Sequence, residues 1–347
     1  MKIGQITFTR FIAAMAIVIS HFNKDLFLYR IDYISNLFLR ANVGVSYFFI
    51  LSGFIMIVAY GQKNKIDYLE FYKNRFARIY PLYVLGLLLY FITRYHLFDG
   101  YKVLLYGLGI QSWIPGEAMI LNFPGWSISV EFFFYLLFPV LYNYFYSKKN
   151  KAIWIFAIVI WMVTQVFSNW YPTLGIYKGP HTQSHEFLYY FPIWHVNEFL
   201  IGNLAGLYFI KNFRQKKYDL HILLLFLLVM VSLMFVPLFY HNGLMALLFV
   251  PVIILISSNS GWLTKLFSQK PLEYLGEISY AVYITHIPIL YLLREFLRVQ
   301  HYSFDIDTVF VIYIIVMLIC SAIFYQCIEK PMRNILRKIN FKRNEYQ

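Results

Sequence analysis

The stretch TFTRFIAAMAIVISHF, Thr7–Phe22, carries an arginine and a histidine at the two ends of an apolar run. Arg10 and His21 are its basic side chains, and the residues between them are almost all apolar. Such a run is apolar enough to enter a lipid bilayer, where an ionisable group costs at least ~2.5 kcal/mol on insertion scales. We therefore expect a membrane helix whose basic residues serve either function or membrane orientation. A helix of this kind indicates an integral membrane fold.

The rest of the 347-residue chain has the same apolar character. It is 60% hydrophobic and 14% charged, with a mean hydropathy of +0.58, whereas a soluble domain has roughly a quarter charged residues. This composition excludes a soluble globular protein. The net charge of +13 would suggest a nucleic-acid partner on a soluble protein, but here the basic residues lie between apolar blocks and indicate membrane orientation. Cys320 and Cys327 have the spacing of neither a disulfide framework nor a metal site.

Apolar segments recur along the chain and predict an all-α, polytopic membrane bundle with about ten transmembrane helices. Residues 103–114 are short and interrupted by glycine, so we expect a re-entrant or interfacial segment there. The first apolar segment lacks a small-residue cleavage site and is expected to remain as a helix. The ten predicted segments are residues 6–22, 43–60, 79–97, 125–147, 152–170, 193–210, 220–240, 243–258, 274–297 and 308–328.

The distribution of Lys and Arg predicts the orientation of the bundle. With the N-terminus inside, 22 of the 30 basic residues fall on the cytoplasmic side and 8 on the outer side, which strongly favours cytoplasmic N- and C-termini. If residues 103–114 also spanned the membrane, this asymmetry would collapse. We predict one transmembrane domain over residues 1–333 and a basic cytoplasmic tail over 334–347 that lies against anionic lipid headgroups.

Few ionisable side chains lie within the apolar segments, and these are the first candidates for function. At ~1.5 Å per residue, His21 lies roughly 16 Å along its helix from Arg10, near the middle of a ~30 Å hydrocarbon core. For His21 and Glu131 we favour a functional role. For His286, a buried helix–helix hydrogen bond and a functional role are equally good interpretations.

Two further pairs of polar residues are expected to be structural. His195 and Glu198 stand three positions apart, and an ion pair on one helix face is the commoner role of such residues. His181 and His185 lie in an outer loop without a third ligand, so no metal site is predicted there or elsewhere.

An inner segment, FYKNRFARIYPLY (Phe71–Tyr83), carries two arginines three positions apart. On a helix, Arg75 and Arg78 share one face, and two guanidiniums on one face can hold a phosphate group in a bidentate manner. Ordinary positive-inside charge is the alternative interpretation. With Arg10 at the same membrane face, we predict an anion site at the cytoplasmic mouth of the bundle.

Five motifs follow one another along the chain: TRFIAAMAIVISHF (Thr9–Phe22), GVSYFFILSGFIM (Gly44–Met56), FYKNRFARIYPLY (Phe71–Tyr83), PGWSISVEFFFYLLFP (Pro124–Pro139) and LGEISYAVYITHIPI (Leu275–Ile289). Together they closely resemble the bacterial integral membrane acyltransferase-3 family, the O-acyltransferases of surface polysaccharides. The resemblance runs from about residue 6 to residue 333, nearly the whole chain. Within this family, the chain resembles the stand-alone members, which lack the fused extracytoplasmic hydrolase-like domain that other members carry.

The resemblance also implies roles for individual residues. His21 matches the family's essential histidine, and Arg75 and Arg78 match its cytoplasmic Arg-x-x-Arg, which is associated with the acyl-CoA donor. Glu131 matches the glutamate of the family's Trp-Ser-x-Ser-x-Glu segment. The remaining candidates for the substrate cavity are Ser52, in the family's Ser-Gly-Phe turn, and Trp126, Ser127, Ser129, His286, His195 and Glu198.

Acyl transfer from a thioester to a sugar hydroxyl needs a base or an acyl carrier, groups that stabilise the oxyanion, and a binding site for the charged donor. A histidine can be neutral at pH 7, so His21 is predicted to act as base or acyl carrier, with Glu131 orienting its imidazole if the two are adjacent. Arg10, together with Arg75 and Arg78, is predicted to hold the phosphates of acetyl-CoA or another acyl-CoA. This donor is a substrate, and no tightly bound cofactor is expected.

These inferences predict an O-acetyltransferase of the bacterial cytoplasmic membrane that acts on a cell-surface or lipid-linked glycan. The sequence does not name the acceptor, which stays open between lipopolysaccharide O-antigen, capsule, peptidoglycan, exopolysaccharide and a glycolipid. The resemblance implies an arginine where this chain has His195 or Asn197, and this departure bears on the type of acceptor. The acyl group reaches the acceptor directly or through a separate extracytoplasmic acyltransferase. A transporter or flippase of a lipid-linked sugar or proton-coupled solute is the main alternative, although inverted repeats are not evident. The third interpretation is a structural or assembly subunit of a complex that builds envelope glycans.

Overall fold

The computed structural model describes residues 4–338, with side chains up to residue 336. No β-strand occurs within these residues, which confirms the predicted all-α class. Lys2 and residues 339–347 of the predicted basic tail lie outside the described residues. The helices, in chain order, are α1 (Gly4–Phe22), α2 (Ile34–Leu39), α3 (Gly44–Tyr60), α4 (Tyr68–Arg94), α5 (Gly100–Leu108), α6 (Trp126–Leu141), α7 (Ala152–Trp170), α8 (Gln183–Tyr189), α9 (Val196–Asn212), α10 (Asp219–Phe235), α11 (Ala246–Ser258), α12 (Trp262–Phe267), α13 (Lys270–Val299), α14 (Ile306–Phe324) and α15 (Lys330–Lys338).

Short helical turns connect or extend several of these helices. Two of them are π turns, which frequently occur at functional sites in helices: Tyr142–Tyr146 extends α6, and Tyr325–Glu329 joins α14 to α15. The 3₁₀ turns are Phe27–Arg30, Ala41–Val43, Tyr95–Leu97, Gln111–Trp113, Phe123–Gly125, Tyr171–Thr173 and Pro192–His195.

Each of the ten predicted apolar segments overlaps one α-helix of the structure. By length and composition, six stretches of residues 4–338 could cross a membrane, so the chain has the character of a multi-pass membrane protein. The count of ten spans and the cytoplasmic position of the termini stay predictions. The six stretches are Gly4–Phe22, Ala41–Tyr60, Tyr68–Leu97, Phe123–Tyr146, Ala152–Thr173 and Ile306–Leu336.

The structure moves the start of one predicted segment by more than two helical turns. α4 begins at Tyr68, because the side chain of Asp67 accepts a hydrogen bond from the backbone nitrogen of Glu70 and caps the helix. Arg75 and Arg78 therefore lie inside a long helix and not in a loop before it. As the sequence predicts, they share one face of that helix.

The predicted turn at Ser52 and Gly53 is wrong, because α3 is helical throughout. Its glycine instead permits close packing of α3 on α9. A Cβ atom on Gly53 would lie 2.2 Å from the carbonyl oxygen of Phe199, and one on Gly202 would lie 2.0 Å from that of Ile50. Small residues let two helix backbones approach in this way inside membranes.

The segment at residues 103–114 folds as two short pieces. α5 is nine residues long and ends at Gly109, whose φ of 66° is left-handed, and a 3₁₀ turn follows. As predicted, neither piece is long enough to cross a ~30 Å hydrocarbon core. The side chains of Gln111 and Ser112 are buried and donate hydrogen bonds to the carbonyls of Gly125 and Trp126, so the segment is fixed to the start of α6.

The outer helices present apolar side chains to their surroundings. Ile155 and Val166 of α7 and Leu220 and Leu227 of α10 are all more than half exposed. Lipid tails are as apolar as these side chains, so the exposure is expected of a helix that borders a bilayer. The interior is formed by α1, α3, α4, α6, α9 and α13, and it holds the ionisable residues discussed next.

Candidate active site

The fold brings two histidines from different helices together. His21 lies in the last turn of α1 and His286 near the middle of α13, and Nδ1 of His21 is 2.9 Å from Nε2 of His286. The rings are nearly parallel, with 8° between their planes. His286 is buried, whereas His21 is partly exposed. The hydrogen bond fixes the orientation of the more accessible ring.

The partners of His286 determine which nitrogen atoms carry protons. Its Nδ1 lies 2.6 Å from the carbonyl oxygen of Tyr283, which can only accept, so Nδ1 carries the proton. In a neutral His286, Nε2 is then an acceptor, and His21 donates to it from Nδ1. A neutral His21 consequently keeps an unprotonated Nε2, the atom that a general base or a nucleophile needs.

A cavity of about 280 Å³ lies between α1, α3, α4, α6 and α13. Tyr283 belongs to its wall, and the Tyr283 hydroxyl lies 2.9 Å from Oγ of Ser127. Because the carbonyl of Tyr283 also holds His286, one residue connects the cavity wall to the histidine pair. The predicted site residues that line this cavity are Arg10, Ser52, Arg75, Arg78, Ser127 and Glu131.

Three guanidinium groups face this cavity without a carboxylate partner at ion-pair distance. Within residues 4–336, the carboxylate oxygens stay more than 4.0 Å from the guanidinium nitrogens of Arg10, Arg75 and Arg78. The Arg75 guanidinium carbon lies 5.2 Å from the ring centroid of Phe71 and 5.8 Å from that of Tyr135. Stacking on aromatic faces holds an arginine in place while its hydrogen-bond donors remain available. The arrangement suits an anion with several oxygens.

Glu131 lies in the same cavity but serves a different partner from the one predicted. Its Oε1 accepts hydrogen bonds from the hydroxyls of Tyr135 and Ser52. The prediction that Glu131 orients the imidazole required the two residues to be adjacent, and this condition is not met, because the hydrogen-bond partner of His21 is His286. The charge of Glu131 acts on Arg10 instead.

A second glutamate, which sequence reasoning missed, lies near the arginines. Glu329 is buried in the π turn between α14 and α15, and its charge acts on Arg10 and Arg78. One of its oxygens is 4.0 Å from the guanidinium of Arg333. The sequence contained a signal for Glu329, because a carboxylate directly after a long apolar helix is unusual. The approach of this side chain to Arg10, however, depends on how α14 packs.

Some predicted candidates lie outside this cavity. Trp126 packs its ring 5.3 Å from His195 and 5.9 Å from Phe49, both measured between centroids. Ser129 is buried on α6, two positions before Glu131, and is absent from the cavity lining. Both residues support the fold around the cavity and do not contact its interior.

A family model described as an acyltransferase domain matches residues 3–326, almost the full length of the chain. The chain belongs to the acyltransferase-3 family. This confirms the resemblance drawn from the five motifs. No solved structure matches the chain significantly.

Three curated relatives illustrate how this acyltransferase-3 protein compares with known proteins. The acyltransferase MdmB of Streptomyces mycarofaciens is 30% identical over 44% of this chain and 42% of its own length. The putative peptidoglycan O-acetyltransferase YrhL of Bacillus subtilis is 23% identical over 84% and 50%. The O-acetyltransferase OatA of Staphylococcus aureus is 24% identical over 93% and 56%. The chain thus spans about half the length of the curated relatives it matches.

Elsewhere in this acyltransferase-3 protein, His195 and Glu198 form the pair that their spacing predicts. Nδ1 of His195 is 2.7 Å from Oε2 of Glu198, and both side chains are almost completely buried. The other ring nitrogen lies 3.0 Å from the carbonyl oxygen of Tyr189. Both nitrogens of His195 are therefore engaged in hydrogen bonds. The pair lies outside the lining of the cavity that contains Arg10, Arg75 and Arg78, which we call the arginine cavity.

His185 lies in α8, and His181 lies just before that helix. Nδ1 of His185 lies 3.0 Å from the Tyr177 hydroxyl, and its ring stacks on Tyr189 with 4.0 Å between centroids. Burial, followed by the charge of His181, lowers the pKa of His185 to about 4. The ring is consequently a neutral packing element at physiological pH.

Proposed function

We propose that this protein is an O-acyltransferase of the bacterial cytoplasmic membrane that moves an acetyl group from cytoplasmic acetyl-CoA to a hydroxyl of a cell-surface or lipid-linked glycan. The observation that carries the proposal is the pair of linked features inside the bundle. Three arginines that have no carboxylate partner within residues 4–336 line a cavity, and Tyr283 in its wall holds the histidine pair. The family match and the peptidoglycan O-acetyltransferase and O-acetyltransferase names of two relatives support the same reaction class.

Arg10, Arg75 and Arg78 bind the phosphates of the donor. Charge-assisted bonds from guanidinium to phosphate are among the strongest in proteins, and an anion at this position also relieves the repulsion between three like charges. When no donor is bound, the negative charge of Glu131 partly offsets the positive charge of the three guanidinium groups. The thioester end of the donor then extends from the cavity toward Tyr283 and the histidines.

His21 acts as the general base in the transfer. Its Nε2 takes the proton from the acceptor hydroxyl as the hydroxyl oxygen forms a bond to the thioester carbonyl carbon. The tetrahedral intermediate collapses by breaking the carbon–sulfur bond, and the imidazolium returns the proton to the leaving thiolate of CoA. His286 holds the ring in the tautomer that this step requires, by accepting the hydrogen bond from Nδ1 of His21.

Purified protein in lipid nanodiscs, supplied with acetyl-CoA and extracted envelope glycans, tests this function. We expect acetylated glycan and CoA in equal amounts, and a loss of about 10²–10⁴-fold in rate for His21→Ala. His96→Ala, which changes an exposed histidine in an outer turn, is the matched control and should keep the wild-type rate. Full activity of His21→Ala at normal expression would refute the role of His21, and an acetyl group trapped on its imidazole would replace the base mechanism with acyl-histidine transfer.

A further inference from the structure

A second cavity, of about 660 Å³, lies at the ends of α3 and α6 and is separate from the arginine cavity. Its lining residues, all of which the structure describes, include no aspartate or glutamate. This volume falls within the ~300–1,000 Å³ that is typical of pockets for small-molecule ligands and cofactors. Its positive charge comes from Lys63, Lys65, Lys148 and Lys149.

The lysine cavity is held in shape by the π turn that extends α6. The hydroxyl of Tyr142 lies 2.7 Å from the carbonyl oxygens of Tyr60 and Lys63. The amide of Asn143 accepts from the backbone nitrogen of Ile66 at 2.8 Å and donates to its carbonyl oxygen at 2.9 Å. These bonds clamp the loop after α3, which carries two of the lysines, against the turn that leads to the other two. A preorganised set of charges costs less to order when a ligand binds.

The ring of Tyr60 lies beside one cation of this cavity and one cation of the arginine cavity. The ammonium of Lys63 lies 5.5 Å from the ring centroid, and the guanidinium carbon of Arg75 lies 5.6 Å from it. Lys63 lines the lysine cavity, and Arg75 lines the arginine cavity. A cation of each cavity thus lies within 6 Å of the same ring, so the two cations are close enough for a single elongated polyanion to reach both.

We propose that the lysine cavity binds the 3′-phosphorylated adenosine end of the CoA thioester, while the arginines bind its pyrophosphate. The inference rests on the proposed function, and organic phosphate is the chemistry that the cavity recognises. Lysine ammonium groups without a carboxylate neighbour attract a phosphate dianion as point charges. The rings of Tyr68 and Tyr144 in the lining offer faces on which an adenine can stack. These aromatic walls favour a nucleotide over an anionic lipid headgroup, which has no base to stack.

Steady-state kinetics with two donors in nanodiscs test this division of the donor. For Lys148→Gln/Lys149→Gln we expect the KM for acetyl-CoA to rise roughly tenfold with kcat unchanged, because charged hydrogen bonds to a phosphate are lost. The KM for 3′-dephospho-acetyl-CoA should not change, whereas Arg75→Ala should raise the KM for both donors. Lys216→Gln/Lys217→Gln, which removes the same charge outside the cavity lining, should behave as wild type.

The outcomes separate the inference from the function on which it rests. No turnover by the wild-type protein would refute the proposed function itself. Wild-type KM values in the Lys148→Gln/Lys149→Gln protein, or equal increases for both donors, would refute the lysine cavity as the 3′-phosphate site. An effect that is present with phosphatidylglycerol in the nanodisc and absent without it would assign the cavity to a lipid headgroup instead. Direct binding of adenosine 3′,5′-bisphosphate tests the inference independently of turnover. We expect the Kd of the Lys63→Gln/Lys65→Gln protein to be roughly tenfold higher than that of the wild-type protein.

Discussion

His286 accepts a hydrogen bond from His21 across 265 positions of sequence, at 2.9 Å between ring nitrogens. Because Nδ1 of His286 is committed to the carbonyl of Tyr283, the bond has one direction. The buried histidine thereby sets the tautomer of the accessible one. The structure shows the buried helix–helix hydrogen bond that one of the two interpretations of His286 predicts, and the functional interpretation stays a prediction.

Replacing His286 tests this relationship. We expect His286→Ala to lower kcat by about 10–100-fold with little change in the donor KM, because partners that orient a functional histidine have effects of about this size in metal sites. His286→Gln should recover part of the loss, since its side-chain oxygen can accept from Nδ1 of His21. Thermal unfolding of both variants should be compared with wild type. Equal kcat values for Ala and Gln with equal stability would contradict the tautomer argument.

Replacing an arginine of the cavity tests donor binding. We expect Arg78→Ala to raise the donor KM by about 10–100-fold, because a charge-assisted contact to phosphate is lost, and to leave kcat within a few-fold. Arg78→Lys should restore part of the affinity, since it keeps the charge and loses the bidentate geometry. Arg94→Ala, on the same helix but outside the cavity lining, is the control. A fall in kcat at unchanged KM would instead place Arg78 in the chemical step.

The contact of α3 with α9 predicts a large effect of one methyl group. Gly202→Ala places a Cβ against the backbone oxygen of Ile50, which cannot move aside as a side chain can. We expect a loss of about 1–3 kcal/mol in unfolding free energy, seen as a lower Tm in detergent. Gly107→Ala is the matched control, because no atom lies within 4 Å of a Cβ at that position. An unchanged Tm for Gly202→Ala would mean that α3 and α9 are farther apart in the membrane.

The buried pair of His195 and Glu198 predicts a stability effect without a catalytic one. His195→Leu leaves the Glu198 carboxylate buried without its partner, which typically costs about 3–5 kcal/mol. We expect low yield and a lower Tm, with the folded fraction retaining the wild-type kcat. The double variant His195→Leu/Glu198→Leu should recover stability. A stable His195→Leu protein with no activity would give the pair a direct role in the reaction.

Composition and spacing alone determine much of this protein. The scarcity of charge determines that it enters a membrane, because a single core cannot bury so much apolar surface. The apolar segments determine where helices form, since helicity depends on neighbours within a few positions. The three-residue spacing of Arg75 and Arg78 likewise places both on one face of α4, and both line the cavity.

Tertiary structure decides what those helices bring together. The packing of α1, α3, α4, α6, α13 and α14 decides the partners of His21 and Glu131 and the approach of Glu329 to the arginines. It also decides that Lys63 and Arg75 lie beside the same ring, that of Tyr60. Local periodicity tells which face of a helix is apolar, but it does not tell which helix lies against that face. Contacts between side chains more than a hundred positions apart depend on that packing, and the tautomer of His21 depends on such a contact.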